Sequence, residues 1–269
     1  MEFRYEELVR YNLPLLTHEE QKKIRRTNLL IAGCGMGSVL AEAAVRIGFE
    51  HLILVDGDKV ELPNINRQAY QFDDVGKYKV EALADRLKRI NPECKITALA
   101  EFLNAGNAES IIAAADVIVD FIDFIAIGDV ITLHKEARRQ GKSVISPLGV
   151  GWGGAVIIIT ADSMGIEELF KSYTGTNLKE LAQDNPAEIL DRFQNKTQAI
   201  PDYLLRLAPR LLGQGFKAGM AEYPQPSVTA LQCSVLAAVS VLKVALGLPT
   251  KVAPDVIHFD PWLASDPSN

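Results

Sequence analysis

The sequence predicts an α/β fold: a doubly wound, mostly parallel sheet with an inserted helical lobe. Three observations carry this. Between residues 28 and 146, short apolar runs alternate with stretches of helical spacing, the pattern of strand–helix–strand units joined by right-handed crossovers. The first apolar run ends in the cluster Gly33, Gly35, Gly37 and opens into a helical stretch. The second ends in Asp56, about 20 residues on, where a parallel sheet offers groups to a ligand. Together these make the sheet Rossmann-like.

Composition narrows the class. The chain has 269 residues, 48% of them apolar, enough to bury a large core as one domain over residues 1–269. The net charge is −6, and the densest basic run is only Lys22, Lys23, Arg25 and Arg26. That run reads as a solvated helix face, so bulk nucleic-acid binding is disfavoured. Cys34, Cys94 and Cys233 are odd in number, far apart and form no CxxC pair. The pattern argues against a disulfide framework and against a cysteine-rich zinc site. The start is acidic and polar, and runs such as 155–160 are of strand length. The expectation is a soluble cytoplasmic protein with no membrane partner.

The elements follow in order. Residues 1–27 read as an amphipathic helical arm that buries Leu8, Leu13, Leu15 and Leu16, with Thr17 capping its last helix. Residues 28–33 are a buried strand running into a glycine turn, and 38–47 a helix stopped by Gly48. Residues 51–56 are the second strand and 57–76 a polar loop. Residues 79–90 are a helix halted at Asn91-Pro92. Strands at 94–99, 116–120 and 142–146 alternate with helices at 107–115 and 131–140. A glycine-rich turn is expected at 149–154, then a strand at 155–160. Residues 163–222 are polar, punctuated by proline and mostly helical, an inserted lobe rather than a second domain. A long apolar helix at 227–246, closed by Gly247, precedes a last strand at 256–260.

The segment Gly33-Cys-Gly35-Met-Gly37-Ser38 lies between a predicted strand and a predicted helix. Glycines let the backbone approach a phosphate, and a helix start offers unpaired N–H donors. Asp56 suits ribose hydroxyls. These features alone fit NAD as well as ATP. The spacing departs from the dinucleotide pattern, because the third glycine comes one residue early. The stretch after Asp56 discriminates: Asp58, Asn64, Asn66, Arg67 and Gln68, then Lys79. A dehydrogenase has no use for that cluster. Arg67 and Lys79 can balance triphosphate charge, and Asp123, just past the fourth strand, can hold Mg²⁺. Singly, Arg67 also reads as a surface ion pair, Asp123 as a helix cap, and Asn64 and Asn66 as turn formers.

These residues resemble the ubiquitin-activating-enzyme-like superfamily of ThiF/HesA/MoeB adenylyltransferases. The matching text is Arg10-Tyr11-Asn12, GCGMGS at 33–38, DGDKVELPNINRQ at 56–68, DVGKYK at 74–79, RINPE at 89–93 and VDFID at 119–123. The resemblance implies ATP and Mg²⁺ as cofactors and transfer of AMP to a carboxylate, often the C-terminus of a ubiquitin-like or sulfur-carrier protein. It implies Asp56 at the ribose, Asn64 and Arg67 near the phosphates, Lys79 at phosphate or transition-state charge, and Asp123 at the metal. It also implies a homodimer. Three positions depart from the pattern. Leu13 stands where members carry a phosphate-binding arginine that reaches the partner protomer; Phe124 and Gly128 replace an asparagine and an arginine. The zinc CxxC pairs and a crossover cysteine nucleophile are missing, so no thioester is expected. The alternatives are adenylation of a tRNA-borne carboxylate, adenylation of a small-metabolite carboxylate, and a non-catalytic nucleotide-binding scaffold. Phe170, Tyr173, Arg192 and Phe216 in the lobe are candidates for partner selection.

Overall fold

The computed structural model describes residues 2–123, 126–170, 194, 201–204, 206 and 225–265. Phe124 and most of the 163–222 lobe, with the partner-selecting side chains assigned to it, lie outside the described residues. Among those described, seven strands form one sheet in the order β3-β2-β1-β4-β5-β6-β7. They are β1 Asn28–Ala32, β2 His51–Val55, β3 Lys95–Leu99, β4 Val117–Asp120, β5 Val144–Val150, β6 Gly153–Ile159 and β7 Ile257–Phe259. The first five pair in parallel. β6 is antiparallel to both β5 and β7. The mostly parallel, doubly wound sheet expected from the sequence is therefore present.

Helices cover both faces, which explains why the central strands are apolar along most of their length. In β1, Leu29 and Ile31 face one core while Leu30 and Ala32 face the other, the period-2 alternation of a strand buried on both sides. The first face carries α2 (His18–Arg26), α3 (Gly37–Ile47), α4 (Lys79–Ile90) and α8 (Ser227–Leu246). The second carries α5 (Ala108–Ala113) and α6 (Ile127–Arg139). Two short helices, α1 (Tyr5–Leu8) and α7 (Ile166–Phe170), lie outside this alternation, and α9 (Pro261–Ala264) follows β7. By length and composition α8 could cross a bilayer, yet half of that stretch is buried inside the protein; it covers β5 and β6.

The N-terminal segment departs from the expected arm. It is α1, a 3₁₀ turn at Arg10–Asn12, and α2. Leu15 is exposed, and the buried side chains are Tyr5, Val9, Gln21 and Ile24. Polar tips explain the choice. The Tyr5 hydroxyl donates to Gly48 O at 2.8 Å. Gln21 Nε2 donates to Ile47 O at 2.8 Å and to the Tyr5 hydroxyl at 2.9 Å. The segment thus satisfies carbonyls at the C-terminal end of α3, which have no partner within their own helix. Gly48 ends α3 at φ +116°, and a Cβ there would strike both Gln21 and Tyr5. Thr17 does cap α2, in a capping box with Glu20.

The glycine-rich turn is also narrower than the sequence suggests. Only Gly151 and Trp152 turn; Gly149 and Gly154 are paired strand residues of the β5–β6 hairpin. Their role comes from α8, which lies directly over them. A Cβ on Gly154 would sit 2.7 Å from Cys233 Cα and 2.9 Å from its N, so glycine here sets how closely helix and sheet approach. Gly154→Ala should push α8 off β6 and cost about 1–3 kcal/mol, read as a lower urea midpoint with unchanged far-UV signal. An unaltered midpoint would show that α8 is free to shift.

Candidate nucleotide-binding site

The strand order reverses between β1, which runs on to β2 and β3, and β4, which leads the other way. Loops at the carboxyl ends of two such strands diverge and leave a crevice where α/β sheets hold ligands. One wall is the glycine loop after β1, and the other is the turn at 121–123 after β4.

Close backbone contacts dictate the glycines. Gly33 has φ +90°, and a Cβ there would overlap the Phe121 carbonyl. At Gly37 a Cβ would lie 2.8 Å from Ile31 Cγ2 and 3.2 Å from the Phe121 ring. The loop is tied down from three sides. Gly33 N donates to Val55 O at 2.8 Å. The Ser38 hydroxyl donates to Gly35 O at 2.6 Å and accepts from Ala69 N at 2.9 Å. The Tyr70 hydroxyl donates to Cys34 O at 2.7 Å. α3 then starts with no side-chain cap, leaving its positive end for an anion.

Asp56 is buried and links this loop to the next. Its Oδ2 accepts from Cys34 N at 2.7 Å and its Oδ1 from Asp58 N at 2.8 Å. A carboxylate has about four lone-pair sites, so roughly half remain for a ligand. Burial raises the Asp56 pKa, opposed by the nearby Lys79 ammonium and these two N–H donors. Lys79 is itself buried at the start of α4, and its Nζ donates to Asp58 Oδ2 at 2.8 Å. A short ladder delivers it: Val60 N bonds Lys77 O, Gly76 N bonds Val60 O, and Lys79 N bonds Asp58 O.

Gly33, Gly35, Gly37, Ser38, Asp56, Asp58 and Lys79 therefore form one connected network. The remaining predicted residues stand apart from it. Asn64 turns inward on its own 3₁₀ turn, its Oδ1 accepting from Glu61 N at 3.0 Å. Arg67 reaches the segment before α8, with Nε on Gln225 Oε1 at 2.7 Å, and also bonds Pro63 O and Asn66 Oδ1. It lines a groove of about 450 Å³ beside α3, together with Arg46, Arg86 and Glu42. None of the glycine-loop residues lines that groove. Asp123 is exposed just past β4. Among the described residues, no three His, Cys, Asp or Glu side chains gather to hold a metal. All three cysteines are buried and free. Burial pushes the Cys94 and Cys233 thiols up to about 12 and Cys34 well above the usual thiol range, conditions that disfavour a reactive thiolate.

Two contributors were given no role in the sequence reading. Tyr70 stands two positions beyond the recognised run and could have been found by extending it. Phe121, which packs on both Gly33 and Gly37, lies inside the matching VDFID segment, but nothing in that segment marks its part in the glycine loop. Gln68, named with the cluster after Asp56, has its amide against Gly35.

The ThiF family profile matches residues 8–266. Over 140 residues the chain is 33% identical to a tRNA threonylcarbamoyladenosine dehydratase of Haemophilus influenzae, covering 51% of this chain and 53% of that one. Over 161 residues it is 32% identical to a molybdopterin-synthase adenylyltransferase of Escherichia coli, covering 58% and 64%. The chain spans about half the length of the dehydratase it matches. Among solved structures, the E. coli tRNA N6-threonylcarbamoyladenosine dehydratase in complex with ATP shares the fold with TM-score 0.62 at 20% identity, covering 90% of this chain and 95% of that one. On the glycine loop, the Asp56 to Lys79 series and the match from end to end, this chain belongs to the ThiF family.

Proposed function

We propose that this chain binds ATP·Mg²⁺ in the crevice between β1 and β4 and adenylates a carboxylate. The observation that carries the reading is the Asp56 junction. One buried carboxylate orients the glycine loop, keeps lone pairs for ribose, and stands next to a lysine at the head of α4. The α-phosphate would lie on the glycine-loop amides and the start of α3, with Asp56 on the ribose. Lys79 would exchange its Asp58 partner for phosphate oxygens, and Asp58 would restrain it between turnovers. Arg67, steadied by Gln225, would face the pyrophosphate side, with Asn64 shaping the turn that presents it. Asp123 would hold Mg²⁺, which would neutralise phosphate charge when bound.

The acceptor carboxylate then attacks the α-phosphorus, the bond to the β-phosphate oxygen breaks, and pyrophosphate leaves. Positioning and charge stabilisation supply the acceleration, so no protein nucleophile is required. The buried, high-pKa thiols agree with that. We assign the carboxylate to the C-terminus of a ubiquitin-like or sulfur-carrier protein. The likeness to a tRNA threonylcarbamoyladenosine dehydratase favours a second reading, a tRNA-borne carboxylate. We take residues 1–269 as one cytoplasmic ThiF-type unit whose lobe at 163–222 selects the partner. ATP–pyrophosphate exchange, screened against ubiquitin-like carriers, tRNA and small acids, tests the reading. Arg67→Ala should lower the exchange rate by on the order of 10²-fold or more. Undiminished exchange would remove Arg67 from the reaction, and nucleotide binding without exchange under every acceptor would leave a scaffold.

We further propose a homodimer. The outer face of α8 presents Val228, Leu231, Val235 and Val239, each half-exposed, with no charged residue from Ser227 to Leu242. An apolar stripe without charge is self-complementary across a two-fold axis. Val235→Glu should convert a dimer to a monomer in light scattering; a dimer that survives the change would place the interface elsewhere.

A further inference from the structure

A second polar cluster lies beneath the β4 wall of the crevice. Asp120 ends β4, Ser146 lies on β5 and His134 on α6, and all three are buried. β4 and β5 pair at Ile118–Val144 and Val119–Ile145; Asp120 and Ser146 are the next step along the two strands. There the side chains take over. His134 Nε2 lies 3.0 Å from Asp120 Oδ2 and 3.1 Å from Ser146 Oγ. A carboxylate only accepts, so the ring nitrogen donates to it. Nδ1 is buried with no hydrogen-bonding partner among the described residues, so among them one nitrogen does all the holding. With both strand groups on that nitrogen, the arrangement differs from a nucleophile relay, which uses the two ring nitrogens separately.

The other oxygen of Asp120 faces the crevice wall. Oδ1 accepts from Ile122 N at 3.0 Å, closing the turn that carries Phe121 and leads to Asp123. Phe121 is held on its other side by Ala32, its N donating to Ala32 O at 2.7 Å. Its carbonyl occupies the place a Cβ on Gly33 would take, and its ring packs at Gly37. A line of contacts thus runs from α6 through His134 and Asp120 to the turn, and from the turn to the glycine loop.

We propose that His134 is a positioning residue for the nucleotide site: through Asp120 it fixes the Phe121–Asp123 turn against the glycine loop, in the geometry that ATP·Mg²⁺ needs. The proposal rests on the ATP-binding reading above. His134 does not touch nucleotide; it acts through the turn. Because only Nε2 is used, a glutamine, whose side-chain amide reaches to a similar place, should substitute.

The test is a dissociation constant for ATP·Mg²⁺ by titration calorimetry, well below each variant's melting temperature and with far-UV signal matched to the parent. His134→Leu should weaken binding at least tenfold, whereas His134→Gln should stay within about threefold of the parent. A merely structural role would lower the melting temperature of His134→Leu and leave the affinity of the folded protein unaltered; that result would overturn the proposal. So would equal weakening in the leucine and glutamine variants. If His134→Leu does not fold, His134→Asn, whose amide falls short of Asp120, replaces it with the same expectation. Failure of the parent itself to bind ATP·Mg²⁺ would overturn the ATP reading instead, and the brace with it.

Discussion

A buried carboxylate is costly unless hydrogen bonds compensate it, and Asp56 meets that condition with backbone alone. Its two oxygens take N–H groups from two different loops, Cys34 after β1 and Asp58 after β2. Each loop has its own anchors, and this side chain is the link that joins them. Remove the carboxylate and the glycine loop loses its register against the polar loop that brings Lys79. The other anchors, Ser38 to Gly35 and Ala69, and Tyr70 to Cys34, hold the glycine loop from its other sides.

The same economy recurs around the sheet. Polar side chains bind the carbonyl and amide groups that secondary structure leaves unpaired. Tyr5 and Gln21 serve the end of α3, Asp120 serves the turn after β4, and Asp260 caps α9 through Trp262 N. Tyr5 and Gln21 reach α3 from 43 and 26 positions away, whereas Asp120 and Asp260 act two residues along their own segments. Both walls of the crevice are braced by such hydrogen bonds, which suits the proposed adenylation, a reaction that would depend on alignment.

Much of this was legible in the sequence, for identifiable reasons. β1, α3, β2 and α4 announce themselves because apolar periodicity changes sharply at glycine and aspartate, and the network around Asp56 joins the matching segments at 33–38, 56–68 and 74–79. Gly149 and Gly154 were misread as a turn. Local sequence marks glycine as a turn former, whereas here its purpose is the approach of α8, more than 70 positions on. Leu15 was expected to bury because it is apolar. Tyr5 and Gln21 are buried instead, because their polar tips reach carbonyls that no pattern reveals. Asn64 fits the motif but serves its own turn. The trio of Asp120, His134 and Ser146 was invisible because its members come from three elements: Asp120 lies in the matching VDFID segment, but nothing local ties it to His134 or Ser146.

The most direct test is a crystal structure grown with Mg²⁺ and an ATP analogue that resists adenylyl transfer. Phosphate oxygens should lie on the glycine-loop amides and ribose hydroxyls on the open lone pairs of Asp56, with Lys79 Nζ turned from Asp58 toward phosphate. A crevice left empty at saturating nucleotide, with the Lys79–Asp58 pair intact, would contradict the assignment of this site to ATP.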